Sequence, residues 1–191
     1  MATIFDEFGA PSFGLSDVKI ATWNGDGTYG TAVDVPAVQL MRPTIKVVSA
    51  QLEGDDSIVA TGSRVIGSEL VLRFGSLNIN AMVVMVGIAK TGSGSGSTEQ
   101  DGLILTGGMR LPYFGICGKA LSEELGGDTH IFLPKVRIMS DFTLGEMEYG
   151  KFGVTELTVY GVSDGTFGVY NVIEHETASI IALPPAGLTY A

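Results

Sequence analysis

The chain has 191 residues, of which 45% are hydrophobic and only 17% are charged, and its formal net charge is −10. This length fits one domain that buries roughly 70% of its unfolded surface and needs no disulfide or metal to fold. The acidic excess argues against a protein that grips nucleic acid, since that requires clustered Lys and Arg, and one cysteine excludes an internal disulfide.

The first half of the chain carries strong strand signals. Residues 17–23 (DVKIATW) predict a strand that ends at a Gly-rich turn. Residues 44–52 predict a second strand, which leads into an acidic turn, and residues 57–74 run back from that turn as a long hairpin. Gly62 and Gly67 are expected to mark bulges or bends in the returning strand.

The returning strand ends in an alternating pattern. Glu69 and Arg73 alternate with Leu70 and Leu72, and a period of two places one face on a core. The opposite face then carries both charged and apolar side chains.

One good helix candidate follows the hairpin. Asn78 or Ser76 can cap its start and Gly87 can end it, and the segment between them is apolar nearly all round. Such a helix is expected to be buried, with Met82 and Met85 as packing residues. A second, shorter helix is predicted over residues 118–127.

The remaining segments are expected to be rich in strands. Residues 91–102 (TGSGSGSTEQDG) have the composition of a flexible loop within a single domain that spans residues 1–191. Strands are predicted within residues 129–142 and 153–162, and a last strand pair is predicted before Pro184.

The acidic turn contains Glu53, Asp55 and Asp56. A calcium loop would need differently spaced oxygen ligands, and a carboxylate active site would need burial that a loop tip does not supply. A turn explains the residues best, because Gly54 supplies the positive φ and aspartates tolerate the bend.

Other motifs also favour structural interpretations. GDGTYG, residues 25–30, has the spacing of a dinucleotide-binding loop, but no helix is predicted after it. His130, His175 and Cys117 show no zinc-ligand spacing. A Cys117/His nucleophile pair is an alternative that nothing in the sequence favours. We therefore expect no enzyme, no cofactor and no metal.

Three stretches together resemble the tail tube (major tail) proteins of long-tailed bacteriophages. They are TIKVVSAQLEGDDSIVATG (44–62), SELVLRFGSLNINAMVVMVG (68–87) and VYNVIEHETASIIALPP (169–185), and the likeness runs from about Val18 to Pro185.

The resemblance implies a mainly β fold: a β-sandwich or barrel with long hairpins and one flanking α-helix. It implies a virion protein, assembled in the host cytoplasm, whose rings of commonly six subunits stack into the tail tube for DNA ejection. The expected partners are further copies of the chain, tail tip or initiator and terminator proteins, and the tape measure protein and DNA passing through the lumen. No membrane partner is expected.

The acidic residues can be assigned to expected places in such a tube. Glu69 and Glu156 lie in mid-strand and are expected to face the lumen, where negative charge would repel phosphate. Glu53, Asp55 and Asp56 are expected at a contact between rings. Their expected basic partners are Lys46, Arg64 and Lys135.

Other functions stay open. One alternative is the tube protein of a contractile or type VI-like secretion system, or another head–tail connector component. A more distant alternative is a β-sandwich binding module, although Trp23 is the only tryptophan. A hydrolase would need convergent acids flanked by apolar residues, and the sequence shows none.

Overall fold

The structure is a computed structural model that describes residues 13–54, 57–75, 78–122, 127–143, 148–150, 153–175, 177 and 179–185. Its eleven described strands are β1 (Phe13–Gly25), β2 (Thr28–Tyr29), β3 (Val33–Asp34), β4 (Val38–Gly54), β5 (Ser57–Phe74), β6 (Thr91–Ser93), β7 (Gln100–Gly102), β8 (Phe114–Leu121), β9 (Asp128–Ile138), β10 (Thr155–Gly161) and β11 (Asn171–His175). The described helices are α1 (Ile79–Val86) and a 3₁₀ turn (Gly96–Thr98).

Nine of the strands form one antiparallel sheet. Its hydrogen-bonded order is β2-β1-β8-β9-β10-β5-β4, with β3 also on β1 and β11 also on β9. The sheet curls until β4 contacts β1, yet no backbone pairing joins these two strands among the described residues. The fold is therefore mainly β and sandwich-like, as predicted, but it is not a closed barrel.

The main core lies inside this curled sheet. The pattern over 69–74 is confirmed, since Leu70, Leu72 and Phe74 are buried while Arg73 is exposed. These side chains pack with those of α1 and of strands β1, β8, β9 and β10. The hydrophobic effect of this shared cluster holds the curled sheet together.

A second, smaller core covers the opposite face of β8 and β9. It contains Cys117, Phe132, Phe167 and Ile181, so segments near the C-terminus pack on the central strands from outside. The rings of Phe132 and Phe167 meet edge to face, with centroids 5.7 Å apart. The central strands are thus buried on both sides.

Helix α1 forms where the sequence predicts it. The Asn78 side chain accepts hydrogen bonds from the backbone N–H groups of Asn80 and Ala81, at 2.9 and 3.4 Å. Gly87 ends the helix with φ of 75° and donates its N–H to the Val83 carbonyl. Met82 and Met85 are completely buried in the main core, so these two residues pack within the subunit.

Two sequence predictions fail in the second half. The helix expected over 118–127 is wrong in its first part, because residues up to Leu121 continue β8. The backbone of β8 is hydrogen-bonded to β1 on one side and to β9 on the other. Residues 123–126 lie outside the described residues. The expected last strand pair is a single strand, β11, which pairs with β9.

The Gly/Ser-rich segment has regular structure of its own. Strands β6 and β7 pair as a small separate hairpin, closed by the 3₁₀ turn at Gly96–Thr98. None of the described helices is long and apolar enough to cross a membrane.

Candidate assembly surface

The predicted long hairpin consists of β4 and β5, which pair along their whole length. Only the base of this hairpin is joined to the rest of the sheet, which we call the body, because β10 pairs with β5 from Ser68 to Phe74 and no further. We call residues 45–66 the free hairpin. The eight residues from Val47 to Gly54 alone extend it by about 26 Å at ~3.3 Å per residue.

The free hairpin exposes an unusual amount of apolar surface. Eight large aliphatic side chains along it are more than a third exposed: Ile45, Val47, Val48, Leu52, Ile58, Val59, Val65 and Ile66. Val59 and Leu52 reach 64% and 62% exposure. Large apolar side chains exposed along one segment of a folded chain mark an association site.

The two faces of the free hairpin differ. On one face, which we call the apolar face, Val48 lies opposite Arg64, Ala50 opposite Gly62, and Leu52 opposite Ala60. The other face is mixed: Ser49 lies opposite Ser63 and Gln51 opposite Thr61, and the exposed side chains of Val47 and Val65 also lie opposite each other there. The apolar face has small side chains at its centre, so another chain can approach it closely.

The edges of the free hairpin are open as well. Among the described residues no strand pairs with the outer edge of β4, and none pairs with β5 before Ser68. Rows of unpaired backbone N–H and C=O groups are templates for pairing with another chain. In the part of the chain that the structure describes, the outer edges of this segment therefore have no pairing strand.

A bulge separates the free hairpin from the body. Lys46 pairs with Gly67 and Val47 with Val65, which leaves Ile66 as an extra residue. A Cβ on Gly67 would lie 2.7 Å from the Gly161 carbonyl oxygen, so glycine is required there. The predicted irregularity at Gly67 is confirmed, whereas the one at Gly62 is wrong because Gly62 pairs regularly with Ala50.

The acidic turn is only partly described. Glu53 is exposed near the end of β4, while Asp55 and Asp56 lie outside the described residues. Two of their expected basic partners have neighbours in the subunit, since the Nζ atom of Lys46 lies 2.6 Å from Glu69 and that of Lys135 lies 3.8 Å from the Trp23 ring centroid. The role of the turn at a contact between rings stays a prediction.

Glu69 and Glu156 lie on the same face of the sheet. Glu156 lies directly opposite Arg73, and Arg73 and Glu69 are both on β5, four residues apart. Glu156 accepts a hydrogen bond from Nε of Arg73 at 2.8 Å, and Glu69 contacts Lys46. Each carboxylate is thus neutralised by a basic side chain of its own subunit.

The Gly-rich motif of residues 25–30 is a turn, as predicted. Gly25, Asp26 and Gly27 all have positive φ, and the chain returns as β2 rather than starting a helix. The motif therefore lacks the helix N-terminus that would hold a pyrophosphate.

The surroundings of Cys117 are not those of a catalytic nucleophile. It is buried in the small core and lies opposite Phe132 on β9. Burial, together with the charges of Asp17 and Asp128, raises the pKa of its thiol to about 12. A catalytic thiol needs a lowered pKa.

One cluster that sequence spacing did not suggest is assembled by strand pairing. Asp128 and His130 on β9 lie beside His175 on β11. The only sequence signal is the spacing of two between Asp128 and His130, which puts both side chains on one side of a strand. His175 lies 45 residues after His130, so spacing along the sequence does not indicate that it joins the other two residues.

Comparison with known proteins gives little beyond the fold. No protein-family model matches the chain, and no curated protein matches it. Among solved structures, it is similar to a chain of the anti-feeding prophage (AFP) baseplate, from a cryo-EM structure with 6-fold symmetry applied. The two share 14% identity over 91% of this chain and 97% of that chain, with a TM-score of 0.42. The resemblance to tail tube proteins stays a prediction.

Proposed function

We propose that this chain is a structural subunit of a phage-tail-type particle that self-associates into rings, which stack into a tube for the passage of DNA. The observation that carries this proposal is the free hairpin, whose two edges have no pairing strand among the described residues and whose large aliphatic side chains are exposed. The role is non-enzymatic, and the partner of the hairpin is a second copy of the chain.

A second copy suits this surface better than a small ligand does. The free hairpin is long, and the depression of about 300 Å³ along it, lined by residues 48–50 and 62–64, lies open to solvent rather than enclosing a ligand. Strand edges, in contrast, bind other strands. Different faces of two copies would meet, and such a head-to-tail contact closes into a ring or extends as a stack. Ring closure would also cover the edges of β4 and β5.

The apolar face offers a sharp test. The double variant Val48→Asp/Leu52→Asp puts two carboxylates on that face, where assembly would bury them. The matched control, Ser49→Asp/Gln51→Asp, adds the same charge to the opposite face of the same strand. All four positions are exposed in the subunit, so both variants are expected to fold normally.

Electron microscopy and sedimentation over a concentration series measure the outcome. We expect rings or tubes from the unaltered chain and from the control, and 20.0 kDa monomers from the Val48/Leu52 variant. An unaltered chain that stays monomeric at the highest concentration, with or without preformed tail tips as initiator, would contradict the proposal. Loss of assembly in both variants would contradict only the choice of face.

The form of the assembly separates the two candidate roles. Long stacked tubes would support the tail tube or the tube of a contractile or type VI-like system. Single rings that do not stack would instead support a connector component, since the free hairpin can serve either contact. Monomers with an intact fold would favour a β-sandwich binding module.

A further inference from the structure

A buried polar cluster lies outside the assembly surface, between β9, β11 and the C-terminal segment. Strand register places His175 opposite Asp128 and Ile173 opposite His130, so the three polar side chains lie on one face. One ligand atom from each lies within 4.8 Å of the others. Asp128 and His130 are 0% and 1% exposed.

Several atoms of this cluster lack a hydrogen-bond partner. They are Oδ1 of Asp128, both ring nitrogens of His130 and Nε2 of His175. His130 Nε2 does lie 3.3 Å from Oδ2 of Asp128, but without the geometry of a hydrogen bond. A buried polar atom without a partner costs about 1–3 kcal/mol, and this cluster holds four of them.

We propose that Asp128, His130 and His175 bind a Zn²⁺ ion through Oδ1 of the aspartate and one ring nitrogen of each histidine. Two imidazoles and a carboxylate are a donor set that zinc uses, with the fourth position left for water. Calcium and magnesium would instead need several more oxygen ligands. The ion would join β11 to β9 near the C-terminal segment, because its ligands come from both strands.

The other aspartate oxygen is already held in place. Oδ2 of Asp128 accepts a hydrogen bond from the Ser179 N–H at 2.6 Å and lies 3.2 Å from Nζ of Lys119. Nζ of Lys119 also donates to the Ser179 carbonyl at 2.5 Å. These contacts hold Oδ2 in place, as a second shell does for a metal ligand, and leave Oδ1 without a hydrogen-bond partner.

The same lysine limits the affinity. Its positive charge repels a second cation nearby, so we expect weaker binding than in a zinc finger.

The test measures Zn²⁺ binding to the full chain after removal of metals with a chelator. Isothermal titration should show one Zn²⁺ per chain, and added Zn²⁺ should raise the melting temperature. His175→Gln keeps much of the side-chain size at a half-buried position and should lower the affinity at least a hundredfold, more than the loss of an outer-shell partner. Glu174→Gln, on the same strand but exposed, should bind as the unaltered chain does.

Co²⁺ provides a readout that does not depend on the variant folding. Co²⁺ added to the unaltered chain should give the visible absorption of a four-coordinate nitrogen and oxygen site, and Zn²⁺ should displace it. Absence of both stoichiometric Zn²⁺ binding and this spectrum in the unaltered chain would overturn the proposal. Equal Zn²⁺ affinity in a folded His175→Gln variant would overturn it as well.

Discussion

At Cys117, burial decides the chemistry of a single side chain. The thiol is enclosed by the small core, and the pKa of about 12 keeps it protonated at any physiological pH. We expect no reaction with iodoacetamide at pH 8 in the folded chain and full reaction once denaturant is added. Mass spectrometry measures both, and rapid labelling of the folded chain would show that the small core opens.

The same raised pKa has a consequence for stability. The unfolded thiol ionises near pH 9, and the folded state resists that charge. The contribution to stability is therefore complete below about pH 9 and is lost as pH rises from there toward 12. Tyr29, whose pKa burial also raises, adds to the alkaline loss at still higher pH.

Sequence could identify the buried thiol but not the cluster beside it. The apolar, Gly-rich surroundings of Cys117 (residues 113–120) are typical of a small buried hydrophobe, and the structure buries this thiol. His175 joins Asp128 and His130 only through the register between β9 and β11. A search for metal-ligand spacing along the chain cannot find a set that strand pairing assembles.

At the scale of elements, helix α1 gives the clearest prediction. Met82→Asp puts an unpaired carboxylate into the main core and should cost at least about 3 kcal/mol of unfolding free energy. Asn80→Asp adds the same charge to an exposed position in the first turn of the helix, where negative charge is favourable. Urea denaturation of both variants measures the difference.

Equal stability of the two variants would contradict the packing of α1. The expected loss is large enough to prevent folding of the Met82 variant, and circular dichroism would then report it directly. Normal assembly by the Met82 variant would show that the helix is not part of the core.

Local signals predicted this helix well, because its two caps lie in the sequence itself. They failed over residues 118–121, where Lys119, Ala120 and Leu121 have good helix propensity but β1 and β9 supply backbone partners on both sides. Tertiary pairing overrides propensity at such a site. The bulge at Gly67 was predictable from the glycine, whereas the regular pairing at Gly62 was not.

At the scale of the whole molecule, the proposed lumen face can be tested by charge. Glu69→Lys/Glu156→Lys removes two acids and places each new ammonium near Lys46 or Arg73. An exposed ion pair contributes about 0.2–1 kcal/mol, so the variant should still fold and assemble. If this face lines the lumen, added positive charge should hold DNA phosphates and slow ejection, more so at low salt.

The rate of DNA ejection from particles built with the variant is the measurement. Glu174→Lys, a charge reversal at one exposed position of β11, serves as the control. An unchanged rate in the double variant would contradict the lumen assignment of Glu69 and Glu156 without affecting self-association.

The sequence indicated a mainly β chain and a long hairpin because alternation and turn residues are local. It did not indicate where the hairpin leaves the body. That point depends on β10, which pairs with β5 only as far as Ser68. Residues 57–66 and 69–74 are similarly rich in strand-forming residues, so composition does not distinguish the two parts of β5. Burial on one side of Gly67 and exposure on the other is a property of the assembled sheet.

The bulge at Ile66 and Gly67 also sets the angle at which the free hairpin leaves the body. A β-bulge increases local twist, and the close approach of Gly67 to Gly161 fixes this corner against β10. In a closed ring, that angle determines how far each subunit is rotated from the next, and hence how many complete the circle. The diameter of the channel would then be encoded in one irregularity of a few residues rather than in the extended contact surface.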